Sequence, residues 1–358
     1  YYIMKIALIN DTHAGARGDN PIFNEFFFKF WESTFFPYLK EHNIKHICHL
    51  GDVVDRRKFI NFVTLNSWRK RFFDRLLEEG ITMDVIVGNH DVFYRNTNEI
   101  NAMNELFAGY SNIKILVEAE ELQYDSLKVA MVPWINSGNY EKTMEFLKNT
   151  SAEVVFGHLE IAGFEMDRGN ICHTGLDKKV FDRFDSVLSG HFHHKSTDGV
   201  ITYLGNQYEM TWADHGDERG FHVFDTETRE LEFVRNPFEM FHKISYDDTV
   251  QDFEYWKKYD YGKMKDCYVK IIAVNKQNPY LFDTIIDNLY KIGVADIAIV
   301  EDFTEESIED DEMVNQAEDT MTILSKYIDG LTLNVNSDKL KNLMRELYVE
   351  ALNTEISE

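Results

Sequence analysis

Short apolar runs ending in Asp, Asn and His recur along the chain up to His193, and these side chains are ligands for divalent metals. Ile6-Ala7-Leu8-Ile9 leads through Asn10 into Asp11-Thr12-His13, and Ile47-Cys48-His49-Leu50 into Gly51-Asp52. Val85-Ile86-Val87 leads into Gly88-Asn89-His90-Asp91, Val154-Val155-Phe156 into Gly157-His158, and Val187-Leu188-Ser189 into Gly190-His191-Phe192-His193. Carboxylate, amide and imidazole donors suit ions of the Mn, Fe or Zn kind. Each motif alone is weak, because Asp-x-His and Gly-His pairs also occur as ordinary turn residues. The whole set in this order, each member behind an apolar run, points to strand ends converging on a two-metal site.

Those runs are short, β-branched and punctuated by Gly, so they read as buried strands with loops at their C-terminal ends. Phe23 to Glu41 and Phe62 to Glu79 carry aromatic and aliphatic residues at helical spacing between them. Strands alternating with helices predict an α/β layered core. After Gly157 the elements shorten to strands such as Ile201 to Leu204 and Phe221 to Phe224, and Asp225-Thr226-Glu227-Thr228 reads as a hairpin turn into Leu231 to Val234. From about Phe238 to Val300 a small α+β unit is expected: a strand at Tyr268 to Val274, a helix at Tyr280 to Ile292 and a strand at Ala295 to Val300.

The composition narrows the class. A chain of 358 residues has length for about two domains. Three cysteines, Cys48, Cys172 and Cys267, have no metal or redox spacing and indicate a reducing compartment. With no apolar run of about 18 residues and no secretory signal, the expectation is a soluble, cytoplasmic protein. The net charge of −25 argues against generic nucleic-acid binding. That charge is uneven. Arg56, Arg57, Lys58, Arg69, Lys70, Arg71 and Arg75 follow the Gly51-Asp52 loop, with Asp74 as the acid among them. Arg56, Arg57 and Lys58, beside a ligand loop, are candidate phosphate contacts; Arg69 to Arg75 fit a solvated helix face equally well. Residues 301–312 are strongly acidic and read as an extended linker. Beyond it, residues 313–358 carry apolar residues at helical spacing, clearest from Leu340 to Leu352, and predict a helical hairpin. On a tether, such a stripe favours a partner surface.

The ordered set D-x-H, GD, GNHD, GH and GHxH resembles the signature of the calcineurin-like metallophosphoesterases, through about Arg235. Gly51-Asp52-Val53-Val54-Asp55-Arg56-Arg57-Lys58, Val132-Pro133-Trp134, Asp217-Glu218-Arg219-Gly220-Phe221 and Glu346 to Ala351 are similar to the SbcD-type nuclease subunits of DNA repair complexes, most of all those of T-even-like phages. The resemblance implies a sandwich of two mixed β-sheets flanked by helices over residues 1–237. It further implies a capping domain that engages DNA at 238–300, a linker at 301–312 and a hairpin at 313–358 that binds an SbcC-like coiled-coil ATPase. A homodimer with exonuclease and endonuclease activity in recombination and repair is implied as well.

Chemistry and the family pattern together assign the ligands. One metal takes Asp11, His13, Asp52 and His193; the other takes Asp52, Asn89, His158 and His191, with Asp52 bridging. Ions about 3.5–4 Å apart can share a hydroxide and lower its pKa. The donor mixture suits Mn, with Fe, Zn and Mg as alternatives. His90 is left as general acid for the leaving oxygen, and it needs a supporting neighbour. Asp55 is the first choice, from the GDxxDR spacing of the phosphatase branch, although cellular nuclease subunits carry His there. Asp91 is the alternative, and its plainer role is loop structure. Arg56 next to this loop is counted with the catalytic group. The competing function is a phosphodiesterase or a protein or small-molecule phosphatase of the same superfamily. His42, His46, His49, His173, His215, His222 and His242 fit no ligand spacing.

Overall fold

The computed structural model describes residues 4–167, 170–301 and 340. Two six-stranded mixed sheets form the body. In order, the first holds Leu231–Arg235, Gly220–Asp225, Lys5–Ile9, His46–His49, Thr82–Ile86 and Ile113–Leu116. The second holds Ser196–Thr197, Ile201–Tyr203, Ser186–Gly190, Val154–His158, Leu127–Val132 and Glu120–Tyr124. Central pairings in both sheets are parallel, as Ile6↔His46 and Val187↔Val155 show. Antiparallel edges such as Phe224↔Leu231 close around the expected turn at Asp225.

Alternation along each strand builds the layers. Ile6, Leu8, Cys48, Leu50 and Ile86 from one sheet meet Val129, Met131, Phe156 and Leu188 from the other. The opposite side chains, Ala7, Ile9, Ile47 and Val85, pack under helices rich in Phe and Trp. Burying each of those rings stabilises by about 1.5–3 kcal/mol. The predicted long helices form, but each is interrupted. Pro21–Phe30 and Phe36–Glu41 flank a π-helical turn at Trp31–Phe35, and Phe62–Trp68 and Asp74–Glu78 flank another at Arg69–Phe73. Hydropathy spacing does not encode such an insertion, which shifts one turn by a residue to fit the aromatic layer. Asn20 and Asn61 cap the N-termini of Pro21–Phe30 and Phe62–Trp68, accepting from the amides of Ile22 and Val63.

Between Phe241 and Val300 lies a separate three-stranded sheet, Phe241–Asp247, Tyr268–Asn275 and Asp296–Val300, covered by the helix Pro279–Ile292. The first of these strands and the helix Phe253–Lys258 were not predicted. The chain divides into two units at Val300. The expected acidic linker at 301–312 and the expected helical hairpin at 313–358 lie outside the described residues apart from Glu301 and Leu340. No helix among the described residues is long and apolar enough to cross a membrane.

Candidate metal centre

Parallel strands of both sheets end at the same rim of the sandwich, where ligands of open α/β sheets collect. Strand Lys5–Ile9 delivers Asp11 and His13, His46–His49 delivers Asp52, and Thr82–Ile86 delivers Asn89 and His90. From the second sheet, Val154–His158 ends on His158, and Ser186–Gly190 releases His191 and His193. Asp11, His13, Asp52 and His191 all have positive φ, 48°, 44°, 57° and 88°. Left-handed backbone at non-glycine residues is uncommon and concentrates at functional sites. Two glycines make the close approach of these loops feasible. A Cβ on Gly51 would lie 2.5 Å from His158 Nδ1, and one on Gly88 would lie 2.2 Å from Asp52 Oδ1.

The side chains gather into two adjoining clusters. In the first, His13 Nε2 lies 3.0 Å from His193 Nε2, 3.9 Å from Asp11 Oδ1 and 3.9 Å from Asp52 Oδ2. His193 Nε2 is 3.8 Å from Asp11 Oδ1. In the second, the Asn89 Oδ1 atom is 2.8 Å from His158 Nε2 and 2.9 Å from His191 Nδ1, while His158 Nε2 is 3.4 Å from Asp52 Oδ2. Asp52 Oδ2 belongs to both. The donors present fit a pair of divalent cations, because carboxylate oxygens, an amide oxygen and imidazole nitrogens converge there. Outer contacts enforce that direction. His158 Nδ1 donates to the Leu50 carbonyl at 2.7 Å, and Asp55 Oδ1 lies 3.3 Å from His13 Nδ1.

Electrostatics points the same way. Burial pushes the Asp52 carboxyl up, yet His158, His90 and His13 outweigh it and hold the group well below the carboxylate range. Burial depresses His13 and His158, but the carboxylates around them win and raise both to about 9. His191 is lowered to about 3 by burial and by His158, and His193 also falls, through burial, His13 and Arg219. The carboxylates at the centre therefore draw positive charge toward the place where cations would sit.

The surroundings of His90 differ from expectation in detail. Its Nδ1 donates to the backbone carbonyl of Asp55 at 2.6 Å, and its amide donates to Asp52 Oδ1 at 2.7 Å. The Asp55 carboxylate turns instead to His13. Asp91 is a loop anchor, accepting the amides of Asp52, Val53, Val54 and Gly88. Arg56 pairs with Asp19 and packs on Phe59, whereas Arg57 lies over Trp134, 5.3 Å from its centroid. One nitrogen of Arg57, Nη1, is buried with no hydrogen-bond partner among the described residues. Lys58 sits over the Phe93 ring. Arg71 and Arg75 pair with Glu32, Glu25 and Glu79, a solvated helix face.

Sequence reasoning passed over several supporting residues. Tyr208, stacked on Phe27 at 3.7 Å, donates its hydroxyl to the Thr12 carbonyl at 2.6 Å. Asn10 donates to Asp11 Oδ2 at 2.6 Å and to Gly205 O at 2.9 Å. The Arg219 guanidinium binds the His193 carbonyl and Asn206, and reaches Asp214 at 2.8 Å and Asp217 at 3.2 Å. Local spacing does not state the contacts of Tyr208 or Arg219, which come from other stretches of chain, whereas Asn10 adjoins Asp11 in sequence.

The family profile for the calcineurin-like phosphoesterase matches residues 4–195, which include every donor from Asp11 to His193. Exonuclease subunit 1 of enterobacteria phage T4 is 29% identical over 351 residues, covering 97% of this chain and 99% of that protein. Among solved structures, a novel archaeal phosphodiesterase aligns with 65% of this chain and 100% of its own at 13% identity. Its TM-score is 0.32, too slight a likeness to bear on function.

Proposed function

The chain belongs to the calcineurin-like phosphoesterase family, and from that premise we propose that it is the nuclease subunit of a DNA-processing complex. On this reading it hydrolyses DNA phosphodiesters with two divalent cations, Mn foremost. The observation that carries the proposal is the shared Asp52 Oδ2, in reach of His13 on one side and His158 on the other. Likeness to a phage exonuclease subunit along nearly the whole chain supports DNA as the substrate and a multi-subunit setting.

Asp11, His13, Asp52 and His193 would hold one cation, and Asp52, Asn89, His158 and His191 the other. Bound there, the cations would supply charge neutralisation at the phosphoryl group and lower the pKa of water. His90 would serve as general acid. The Asp55 carbonyl engages Nδ1, which leaves Nε2 as the atom that hands a proton to the departing sugar oxygen. Arg57, with a guanidinium nitrogen uncommitted and Trp134 beneath it, would receive a substrate phosphate. The Asp55 carboxylate would orient His13 rather than His90. The resemblance extends the proposal to a coiled-coil ATPase bound through residues 313–358, a second copy of the chain, and work in the cytoplasm of a bacterial host.

The test is hydrolysis of linear duplex DNA and of an aryl phosphomonoester, with and without Mn, by the wild-type chain and Asp52→Ala. Metal-dependent DNA cleavage is expected, with both activity and bound metal falling in the variant. Robust phosphomonoester turnover without DNA cleavage would favour the small-molecule or protein phosphatase reading.

A further inference from the structure

A second convergence of donors lies away from the rim, between the two sheets. Cys48 and Asp84 are direct register partners on neighbouring parallel strands, and His46 precedes Cys48 by two residues, so all three share one face. That face is turned toward the second sheet, whose Tyr124 closes over it. The Tyr124 hydroxyl lies 2.7 Å from Asp84 Oδ2 and 3.3 Å from Cys48 Sγ. One ligand atom each from His46, Cys48 and Asp84 falls within 4.8 Å of the others.

We propose that His46, Cys48 and Asp84, with the Tyr124 oxygen, form a separate structural site for one thiophilic divalent cation of the zinc kind, tying the two sheets together. The decisive observation is the placement of His46 Nε2. The Thr82 hydroxyl lies 2.7 Å from His46 Nδ1 and 3.2 Å from the Lys45 carbonyl. With Nδ1 engaged by Thr82, the ring is oriented so that Nε2 points inward. That nitrogen is buried, has no hydrogen-bond partner of acceptable geometry among the described residues, and stands 3.0 Å from Asp84 Oδ2. A cation between that nitrogen and the Asp84 carboxylate would satisfy both. An imidazole oriented through its other nitrogen is the usual arrangement of a metal ligand.

The donor types indicate which cation. Zinc takes tetrahedral shells of sulfur, nitrogen and oxygen at about 2.0–2.3 Å, for which donors need to be about 3.3–3.8 Å apart. The separations at this site require shifts of well under a bond length. Thiolate also discriminates against Mn, whereas the rim centre offers no sulfur. Burial and Asp84 push the Cys48 thiol well up, so binding exchanges the thiol proton for the cation and strengthens as pH rises. Because the two centres differ in sulfur, they can be told apart in one sample.

The test is cobalt titration of the full-length chain after chelator stripping. A near-ultraviolet thiolate-to-cobalt band should rise to the intensity of one thiolate ligand, be displaced by zinc and resist Mn. It should persist in Asp52→Ala, Cys172→Ser and Cys267→Ser and vanish in Cys48→Ser. If Cys48→Ser fails to fold, His46→Gln, nearer the surface, serves instead and should weaken cobalt binding about tenfold or more. Absence of the band in the wild type, its dependence on Cys172 or Cys267, or unchanged affinity in His46→Gln would overturn the proposal.

Discussion

The Asp91 carboxylate fixes the backbone that presents Asp52: Oδ2 accepts the Asp52 amide at 2.9 Å while Oδ1 accepts those of Val53 and Val54 at 2.8 and 3.0 Å. Oδ2 also takes the Gly88 amide at 2.8 Å, so one buried side chain locks the Gly51-Asp52 loop to the Gly88-Asn89-His90 loop. Both loops feed the candidate centre, and Asp52 holds its left-handed backbone within this clasp.

Removing the clasp should therefore be costly without touching any proposed ligand. Asp91→Ala strands several buried amides, each worth about 1–3 kcal/mol when left unsatisfied. A loss on the order of 3 kcal/mol or more is expected in denaturant unfolding, with weaker metal retention at both clusters. Asp91→Asn keeps one acceptor oxygen and should fall between the two. Wild-type stability in Asp91→Ala would show that water or backbone rearrangement satisfies those amides.

Asp55 and His90 give a prediction that separates a side chain from its own backbone. If His90 is the general acid, His90→Ala should lower DNA cleavage about 10²–10⁴-fold. The loss should be much smaller on an aryl phosphodiester, whose leaving group needs little protonation, and metal content should stay intact. Asp55→Asn keeps the carbonyl that engages His90 Nδ1 but alters the group facing His13. Its expected defect is weaker metal retention, with an unchanged ratio of DNA to aryl-ester turnover. A ratio that falls as in His90→Ala would put the carboxylate back beside His90.

Much of this was legible because the ligand loops are local. A strand followed within a few residues by Asp-x-His or Gly-Asn-His states both the element and the donor, and the parallel topology brings those ends to one rim. The roles of Asp55 and Asp91 were not legible, because spacing places a carboxylate near a loop without saying which atom of the residue makes the contact. Tyr208, Asn206 and Arg219 escaped for a different reason. Tyr208 reaches Thr12 from far along the chain, and Arg219, although part of the Asp217 to Phe221 motif, binds the His193 carbonyl and Asn206, contacts that the motif does not state. The π-helical turns at Trp31–Phe35 and Arg69–Phe73 reflect packing between layers, which a one-dimensional pattern does not record.

Glu209 supplies a pH prediction away from the metal centre. Burial raises its carboxyl from an ordinary 4.5 to about 7, with the Phe241 and Met240 amides pulling partly the other way. Between those values the folded chain holds a proton that the unfolded chain has lost. Its contribution to stability is therefore full below about 4.5 and declines as pH rises through about 7. Both amides bond to a single oxygen, Oε2, at 2.6 and 3.0 Å, a role the amide oxygen of Gln can take over. Glu209→Gln should thus gain thermal stability relative to wild type as pH is raised from 5 toward 8. A difference between the two melting curves that stays constant over that range would mean that Glu209 titrates alike in both states.

Arg56 and Arg57 are neighbours in sequence with opposite expected behaviour. Arg56 is committed to Asp19, which also accepts from Thr64, and stacks on Phe59, so it braces the loop. Arg57 lies against Trp134 with Nη1 unpartnered, and burial together with Arg95 lowers its pKa, the mark of a guanidinium short of compensating charge. A phosphate would relieve that shortage. Arg57→Ala should accordingly weaken duplex binding and reduce the slope of log affinity against log salt by about 0.9, one phosphate contact. Arg56→Ala should leave that slope unchanged and appear instead as a lower melting temperature. The readout is duplex affinity across a salt series for both variants, beside their thermal unfolding. If the slope falls for Arg56→Ala and not for Arg57→Ala, the phosphate path runs past Asp19 rather than over Trp134.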